Sequence, residues 1–453
     1  MSTLRAGRRV HVVGVGGAGM SGLAILLAEM GAEVSGSDAV DSVVLNELAA
    51  RGVRTYVGHD AGNAAGAEVV LWSPAVDSEN VELVAARAAG ARLLTRASVL
   101  AELASLRRVI GFTGTHGKTT ATSMMVQVAL TAGRDDGWLV GAPVLGVGAN
   151  GHWGAGDLVV EVDESYGTFA EVHPYALGLL NVEADHLDHY GTLEALSLAF
   201  VDVLARTSGP VVVWVDDPGA RAVADASRRD VTPVGTGDVA WRVAAVELER
   251  RRASFDLHGP DETLQVRLRV TGAHNVANAA VVATLARHLG LSAATIERGL
   301  SNFVGAPRRY QYRGAWRGVD VYEDYAHLPG EIAATLAATR VAGYERVTAV
   351  FQPHRVTRTL ALAEAFGGSF SLARHVVVTG LYRAGEANPT GVSGEVVVDA
   401  LHRNDPTLDA RYCEELDHVV EVLEDVLADS DVVLFLGAGD VASLIATLPG
   451  GVT

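Results

Sequence analysis

One stretch of the sequence combines a glycine-rich loop with the two side-chain types that bind nucleotide phosphates. The letters GTHGKTT, at residues 114–120, follow an expected strand at Arg108–Gly111 and precede an expected helix at Thr119–Thr131. In such a loop the backbone N–H groups surround phosphates, a lysine reaches the β- and γ-phosphates, and the next hydroxyl binds Mg²⁺. The position five before Gly117 is Phe112 instead of glycine, so the spacing departs from the strict P-loop pattern. The segment nevertheless predicts a site for ATP or GTP.

A second glycine-rich loop, GVGGAG at residues 14–19, has the G-x-G-x-x-G spacing. It lies between an expected strand at Val10–Val13 and an expected helix at Met20–Glu29, an arrangement that places a pyrophosphate at a helix amino terminus. Asp38 ends the next expected strand, where an acid that binds a ribose would lie. The loop alone fits a dinucleotide, another nucleoside diphosphate or a tight turn without a ligand. Because a phosphate loop follows 100 residues later in the sequence, two nucleotide-bearing ligands are favoured over the single cofactor of a simple dehydrogenase.

Acidic residues follow two further expected strands of the same region. EVDES, at 161–165, overlaps the end of the strand Leu158–Val162, and NVEADH, at 181–186, follows the strand Leu177–Leu180. Carboxylates at the carboxyl ends of strands beside a phosphate loop are well placed for Mg²⁺. His186 is a less usual Mg²⁺ ligand, and from the residues alone a surface loop histidine is an equal alternative.

The elements that must position these groups alternate along the chain. Short β-branched runs such as Val69–Trp72, Val347–Phe351 and Val432–Leu436 are separated by Ala- and Leu-rich helical patterns, which predicts α/β layers with parallel strands. Breaks near residues 103–108 and 305–309 predict three domains, at residues 1–106, 107–306 and 307–453. An antiparallel patch is expected within Trp241–Val270.

The composition excludes several classes of protein. The 453 residues carry 36 Lys+Arg against 54 Asp+Glu, a formal net charge of −18, which disfavours binding to nucleic acid or an anionic membrane. A single cysteine, Cys413, cannot form an internal disulfide, so a disulfide-built scaffold is excluded. No uninterrupted apolar run reaches the length of a membrane span, and the sequence start lacks an apolar signal core. A cytoplasmic location is therefore expected.

Ten ordered blocks of the sequence resemble the Mur ligases, and most of all their alanine-adding members. The blocks are GVGGAGMSG at 14–22, GTHGKTT at 114–120, EVDES at 161–165, NVEADHLD at 181–188, GAHNVANA at 272–279, APRR at 306–309, EDYAHLP at 323–329, FQPHRVTRT at 351–359, YRAGE at 382–386 and GAGD at 437–440. The resemblance covers nearly the whole chain. It implies an α/β fold with an N-terminal Rossmann-like domain, a central ATPase-like domain with a P-loop and a mostly parallel sheet, and a C-terminal Rossmann-like domain.

The resemblance also implies roles for individual residues. Catalytic roles would fall to Lys118, Glu161, His186 and His327. Metal ligands would be Thr119, Glu161 and His186. ATP would be bound by Gly114, Thr115, His116, Gly117, Lys118, Thr119, Thr120, Asn275, Asn278, Arg308 and Asp324. A UDP-sugar substrate would be bound by Gly16, Gly17, Gly19, Met20, Ser21, Ser37, Asp38, Ser73, His274, His327, His354, Arg355 and Arg358.

The implied activity is ATP- and Mg²⁺-dependent joining of L-alanine to the lactyl carboxylate of UDP-N-acetylmuramate through an acyl phosphate, in peptidoglycan precursor synthesis. The protein is expected to be a monomer or weak homodimer, with domain closure around its substrates. Tyr166, Leu328 and Val356 depart from the family pattern. A recycling or paralogous ligase that adds a peptide or a different amino acid therefore stays an alternative. A nicotinamide oxidoreductase and a non-catalytic nucleotide-binding protein are remote alternatives.

Overall fold

The computed structural model describes residues 4, 6–73, 76–164, 169, 171–185 and 187–452, and within them the backbone forms three β-sheets. The chain divides into two compact units. The first comprises Met1–Glu247, Ser254–Arg269 and Ala273–Val304, and the second comprises Leu248–Ala253, Val270–Gly272 and Gly305–Thr453. The first unit contains two of the sheets and the second unit contains the third.

The first sheet has five parallel strands in the order β3-β2-β1-β4-β5, the order of a doubly wound nucleotide-binding fold. Its strands are β1 (Arg9–Val13), β2 (Glu33–Asp38), β3 (Arg54–Val57), β4 (Val69–Trp72) and β5 (Arg92–Thr95). Its helices are α1 (Ala18–Glu29), α2 (Val43–Ala50), α3 (Val81–Ala88) and α4 (Arg96–Leu106). The apolar residues of β1 and the first three residues of β4 are buried, because helices cover a parallel sheet on both faces.

The second sheet has ten strands in the order β15-β14-β13-β12-β11-β10-β6-β9-β7-β8. Its strands are β6 (Val109–Thr113), β7 (Gly137–Leu139), β8 (Gly151–His152), β9 (Leu158–Glu161), β10 (Ala176–Leu179), β11 (Val211–Trp214), β12 (Thr232–Gly235), β13 (Trp241–Leu248), β14 (Ala253–His258) and β15 (Thr263–Leu268). Its helices are α5 (Lys118–Thr131), α6 (Leu187–Tyr190), α7 (Leu193–Arg206), α8 (Pro218–Ala226), α9 (Ala273–His288) and α10 (Ala293–Asn302). The run from β12 to β7 is parallel, and β8 pairs with β7 in the antiparallel sense.

The third sheet lies in the second unit and has six strands in the order β16-β17-β21-β18-β19-β20. Its strands are β16 (Gln311–Trp316), β17 (Val319–Asp324), β18 (Val347–Phe351), β19 (His375–Thr379), β20 (Asp409–Cys413) and β21 (Val432–Leu436). Its helices are α11 (Pro329–Val341), α12 (Val356–Ser369), α13 (Glu395–Asn404), α14 (Leu416–Val426) and α15 (Leu444–Thr447). Only β16 is antiparallel to its neighbour among these strands as described.

The α/β fold with three sheets confirms the predicted fold class, while the predicted domain boundaries stay a prediction. The carboxyl ends of β6, β9 and β10 meet at one edge of the second sheet, since the three strands are adjacent and parallel. This edge is where parallel sheets carry their ligand sites. In the described part of the chain, no helix is long and apolar enough to cross a membrane.

Candidate active site

The phosphate loop connects the end of β6 to the first turn of α5, as its sequence predicts. Gly117 caps α5 with φ of +86°, a left-handed conformation that glycine adopts without strain. A side chain there would also collide with Asn278, whose Oδ1 lies 2.7 Å from the position of an added Cβ. The loop therefore requires glycine at this position for two independent reasons.

The Lys118 ammonium lies inside the loop and is fully engaged. It donates to the carbonyls of Gly114 at 2.7 Å and Thr115 at 3.2 Å, and to the Glu164 carboxylate at 2.8 and 2.9 Å. An ammonium has three protons, and the protein supplies three partners. A phosphate oxygen can therefore bind Lys118 only when one of these partners is released.

Glu164 is the anionic partner of that lysine. Its side chain is fully buried, and burial raises the pKa of its carboxyl, against the opposing effect of Lys118. Its backbone carbonyl accepts a hydrogen bond from the Tyr190 hydroxyl at 2.7 Å. A buried carboxylate needs a paired charge, and Lys118 provides it.

Thr119 and Glu161, two of the predicted metal ligands, meet in the structure. Glu161 ends β9, is buried, and accepts a hydrogen bond from the Gly141 N–H at 2.6 Å, while the neighbouring Thr119 side chain favours the ionised form of its carboxyl. Burial raises the pKa of Glu161 above its ordinary value. A hydroxyl and a buried carboxylate are hard oxygen donors of the kind that Mg²⁺ binds, so the two residues fit this ion.

The third predicted metal ligand, His186, lies outside the described residues. Within the described ranges no group of three His, Cys, Asp or Glu side chains forms a potential metal site. Mg²⁺ commonly uses one or two protein carboxylates and takes its other ligands from water and substrate phosphates. Thr119 and Glu161 are therefore the described residues that would hold it.

Asn181, just after the adjacent strand β10, forms hydrogen bonds with the phosphate loop. Its carbonyl accepts from the Thr115 N–H at 3.1 Å, and its side-chain oxygen accepts from the His116 N–H at 2.7 Å. The Thr115 hydroxyl also accepts from the Glu183 N–H at 2.8 Å. The His116 side chain is exposed beside Glu183, and Thr120 lies in the first turn of α5.

Helix α9 brings two predicted ATP-binding asparagines to the loop region. Asn275 and Asn278 are buried within the first two turns of α9, and Asn278 lies against Gly117. His274, which was predicted to bind substrate, is exposed at the start of the same helix. The helix begins at Ala273, so both asparagines are helical residues.

The first glycine loop follows β1 and caps α1. The Gly14 and Val15 N–H groups donate to the Ser37 carbonyl at 2.9 Å, and the Gly16 N–H donates to the Asp38 carboxylate at 2.9 Å. The predicted residue Asp38 thus accepts a hydrogen bond from the loop backbone. Gly17 is the N-cap of α1, and its N–H donates to the Gly14 carbonyl at 3.2 Å.

The other residues predicted to bind the UDP-sugar differ in exposure. Met20 and Ser21 are buried in α1, and Ser21 accepts a hydrogen bond from the side-chain amide of Asn150 at 2.9 Å. Ser37 is fully buried, and its hydroxyl donates to the Glu82 carboxylate. Ser73 is half-buried close to Gly14. Met20, Ser21 and Ser37 are therefore buried residues that pack behind the loop.

Glu82 is the centre of a buried network that the sequence did not single out. Its carboxylate accepts from the Ser37 hydroxyl, from Asn63 Nδ2 at 2.7 Å and from the Asp60 N–H at 3.3 Å, and lies 3.1 Å from His59 Nδ1. Burial raises the pKa of Glu82, but the interactions with His11, Ser37, Asn63 and His59 outweigh it and lower that pKa to about 2. The network fixes the end of β2, which carries Asp38.

Within the second unit, Arg308, Asp324 and His327 lie where β17 and β21 end. Arg308 donates to the carbonyls of Gly437 at 2.6 Å and Gly439 at 3.0 Å. Asp324 accepts from two backbone N–H groups, those of residues 310 and 326, at 2.6 and 2.8 Å. His327 Nδ1 lies 3.2 Å from Glu331, and burial lowers the pKa of the ring.

His354, which follows β18, and Arg358, in the first turn of α12, extend this group. The His354 ring lies 6.0 Å from the His327 ring and stacks on Tyr382 at 5.4 Å. Arg358 Nη1 lies 3.3 Å from His354 Nδ1. Arg355, the exposed N-cap of α12, has φ of +72° and donates its N–H to the Tyr382 carbonyl. This sheet edge thus combines several cations with two histidines, as an anionic substrate would require.

Sequence reasoning assigned no role to Glu164, Glu82, Asn150 or Arg96, which the structure places in or beside these sites. Glu164 stands in the EVDES block, so its proximity to Lys118 had a local signal. Asn150 and Arg96 reach residues more than 60 positions away, and no motif marks them.

Similarity to known proteins extends over nearly the whole chain. Residues 9–108 match the Mur ligase family catalytic domain, residues 112–286 the Mur ligase middle domain, and residues 308–439 the Mur ligase glutamate ligase domain. The UDP-N-acetylmuramate–L-alanine ligase of Thermobifida fusca is 40% identical, over 96% of this chain and 95% of that protein.

Two solved structures are similar over nearly their full length. The UDP-N-acetylmuramate–alanine ligase of Thermotoga maritima superimposes with a TM-score of 0.82 at 28% identity, covering 96% of each chain. A murein peptide ligase of Psychrobacter arcticus gives a TM-score of 0.71 at 23% identity, covering 98% of each chain, which shows a shared fold. The phosphate loop, the paired Thr119 and Glu161, and these full-length matches agree, and the chain belongs to the Mur ligase family.

Proposed function

We propose that this protein joins L-alanine to the lactyl carboxylate of UDP-N-acetylmuramate at the expense of ATP, as a step of peptidoglycan precursor synthesis. The observation that carries the proposal is the phosphate loop, with Lys118 inside it and Thr119 beside the buried Glu161. Support for these substrates comes from the alanine-adding relative that is 40% identical over nearly the whole chain.

The chemistry requires activation of a carboxylate, because an ionised acid is a poor electrophile toward an amine. A lactyl oxygen attacks the γ-phosphorus, ADP leaves, and an acyl phosphate forms. The alanine amine then attacks the acyl carbon, inorganic phosphate leaves, and the amine gives up a proton. Lys118 would stabilise the charge on the transferring phosphoryl group once it is released from one of its present partners.

Thr119 and Glu161 would hold Mg²⁺, which when bound supplies charge neutralisation to the phosphates. His186 is proposed as a further ligand. The asparagines of α9 would contact ATP, and the first glycine loop would hold the UDP group at the amino end of α1. Arg308, Asp324, His327, His354, Arg355 and Arg358 are proposed to contribute to ATP and substrate binding.

The test is phosphate release by purified protein with ATP, Mg²⁺, UDP-N-acetylmuramate and one of several amines. The panel comprises L-alanine, glycine, L-serine and a peptide that begins with L-alanine. We expect release with L-alanine to exceed release with the others, and no release without the sugar nucleotide. Faster release with the peptide would instead indicate a recycling ligase, and no release with any amine would reject the ligase function.

A Lys118→Met protein is the matched variant for this assay. Methionine keeps an unbranched side chain but lacks the ammonium, so we expect kcat to fall by about 10²–10³. Binding of UDP-N-acetylmuramate should persist, because the first glycine loop belongs to another sheet. Full turnover by this variant would reject the assigned role of the loop.

A further inference from the structure

Arg96 lies directly on the first glycine loop. It is the first residue of α4, and its guanidinium covers Gly19 in the first turn of α1. A methyl group on Gly19 would lie 2.9 Å from Arg96 Cζ and 3.0 Å from Nε. The absence of a side chain at Gly19 is therefore what allows this contact.

The guanidinium has no hydrogen bond to any residue that the structure describes. Its Nε is buried without a partner, and its nearest anion, Asp163 Oδ2, lies 3.6 Å from Nη1, beyond hydrogen-bond distance. The side chain is 22% exposed, and the Nε–H is the one of its five donors that is buried without a partner. A buried donor on a cation is costly when it stays unsatisfied, and the two Nη groups leave four donors accessible to a ligand.

The charges around Arg96 place it between the two nucleotide loops. Asp163, its neighbour, lies 3.8 Å from Lys118 in the phosphate loop, and the positive charge of Arg96 partly opposes the rise that burial causes in the pKa of Glu161. On its other side is the amino end of α1, a twelve-residue helix whose partial positive charge favours anions. A single carboxylate thus separates Arg96 from the catalytic lysine.

We propose that Arg96 binds an anionic group of the sugar-nucleotide substrate, either its pyrophosphate or its lactyl carboxylate, above Gly19. The inference rests on the proposed function and names a residue for its sugar-nucleotide site. A guanidinium can bind either group through two parallel N–H bonds, and the substrate anion would replace the long contact with Asp163. The contact would hold the substrate between the α1 terminus and the phosphate loop.

Calorimetric titrations of wild type, Arg96→Gln and Arg96→Lys with UDP-N-acetylmuramate and UDP-N-acetylglucosamine test this role. The second ligand has the pyrophosphate but no lactyl carboxylate. We expect Arg96→Gln to raise the Kd for UDP-N-acetylmuramate by about ten- to a hundredfold, as the loss of a charged hydrogen bond requires. Arg96→Lys should be intermediate, because it keeps the charge but not the two-pronged geometry.

The two ligands distinguish the two anions. An equal loss of affinity for both sugar nucleotides assigns Arg96 to the pyrophosphate, and a loss confined to UDP-N-acetylmuramate assigns it to the carboxylate. Arg87→Gln, at an exposed arginine of α3, is the control for a general loss of charge and should bind as wild type does. The thermal midpoint of Arg96→Gln should stay within about 2 °C of wild type, since no hydrogen bond to the protein is lost.

Wild-type affinity of Arg96→Gln for both ligands would overturn the proposal. So would an equal loss of affinity in Arg87→Gln. If wild type binds neither sugar nucleotide, the proposed function itself fails, whereas a wild type that binds UDP-N-acetylmuramate beside an unaffected Arg96→Gln refutes the role of Arg96 alone.

Discussion

Lys118 is the only lysine among the 36 basic residues of this chain, so 36 − 1 = 35 are arginines. An ammonium is compact and can lie within a ring of carbonyls, whereas a planar guanidinium needs more room and binds through two prongs. Lys118 touches two loop carbonyls and one buried carboxylate in just such a confined place. The one site that uses lysine is thus the site where arginine has the wrong shape.

The pairing of Lys118 with Glu164 leads to a prediction about ATP affinity. Glu164→Gln removes the counter-ion of a partly buried ammonium in the free protein, but in the ATP complex the phosphates supply the negative charge. The free state is therefore destabilised more than the complex, and the variant should bind ATP more tightly, by about tenfold for a ~1.4 kcal/mol difference. Isothermal titration of ATP into both proteins measures this change.

Glu183→Gln is the matched control for that measurement. Glu183 is 61% exposed, lies beside His116 of the same loop, and has no ion pair with Lys118 among the described contacts. Its substitution removes the same charge near the loop and should leave the Kd for ATP within about twofold. Unchanged or weaker ATP binding by Glu164→Gln would contradict the idea that Glu164 competes with phosphate.

His354 should make the stability of the protein depend on pH. Burial, then the charges of Arg358 and His327, lower the pKa of His354 to about 4. Its pKa in the unfolded chain is about 6.5. Between these values the unfolded chain binds a proton that the folded chain does not, so stability is complete above pH 6.5 and declines as the pH falls toward 4.

Replacing His354 with glutamine removes that dependence. The difference in thermal midpoint, wild type minus His354→Gln, should therefore be larger at pH 7.5 than at pH 5.0, as measured by scanning calorimetry. His402→Gln, at an exposed position of α13, tests whether any histidine gives the same result. A difference that stays constant with pH, or one that grows in acid, would contradict the assigned environment of His354.

At the scale of elements, a close contact fixes the first glycine loop relative to the second sheet. Helix α1 packs on β8, and a Cβ added to Gly151 would lie 2.2 Å from the Gly22 carbonyl oxygen. Asn150, beside β8, donates to the Ala18 carbonyl at 2.7 Å and to the Ser21 hydroxyl at 2.9 Å. The helix that would present the UDP-sugar is thus held by the sheet that carries the phosphate loop.

Gly151→Ala should consequently weaken the protein. The added methyl group meets backbone atoms that cannot rotate away, so α1 and β8 must separate, at a cost of about 1–3 kcal/mol. The control is Gly237→Ala, because a Cβ at Gly237 would meet no atom within 4 Å. We expect the midpoint of thermal unfolding to fall in Gly151→Ala and to stay within about 1 °C in the control. An unchanged midpoint in Gly151→Ala would refute the tight packing.

The elements themselves were largely predictable, because each has a local signal. The buried strands β4, β18 and β21 have the bounds that their apolar runs predict, whereas β6 begins one residue and ends two residues later than predicted. The helices after both glycine loops begin one or two residues earlier than predicted, because the loop glycines and Lys118 already belong to the first turn or its cap. Helix ends are the least certain feature of a pattern, since caps replace the helical hydrogen bonds there.

Contacts between distant segments could not be predicted in the same way. Asn150 and Ala18 are 132 residues apart, and neither belongs to a pattern that names the other. Arg96 over Gly19 is of the same kind, and so is the Glu82 network beneath Ser37. The motifs were sufficient to identify the loops, whereas the side chains around the loops come from distant segments and are known only from the fold.

At the scale of the whole molecule, the single lysine allows ATP binding to be followed by chemical labelling. A reagent that acylates amines has only two kinds of target in this chain, the α-amino group at its start and Lys118. Bound ATP should place phosphates against Lys118 and shield it. Intact-mass measurement then reports the occupancy of the site around Lys118 in a protein of 47.3 kDa.

We expect up to two acyl groups per chain without nucleotide and one with saturating ATP and Mg²⁺. Denatured protein, in which Lys118 is free of Glu164 and the loop carbonyls, should accept two groups rapidly. The Lys118→Met protein should accept one group under every condition, which identifies the second adduct without peptide mapping. A second adduct that forms equally fast with and without ATP would show that ATP does not reach Lys118, and would remove the main support for the proposed ligase chemistry.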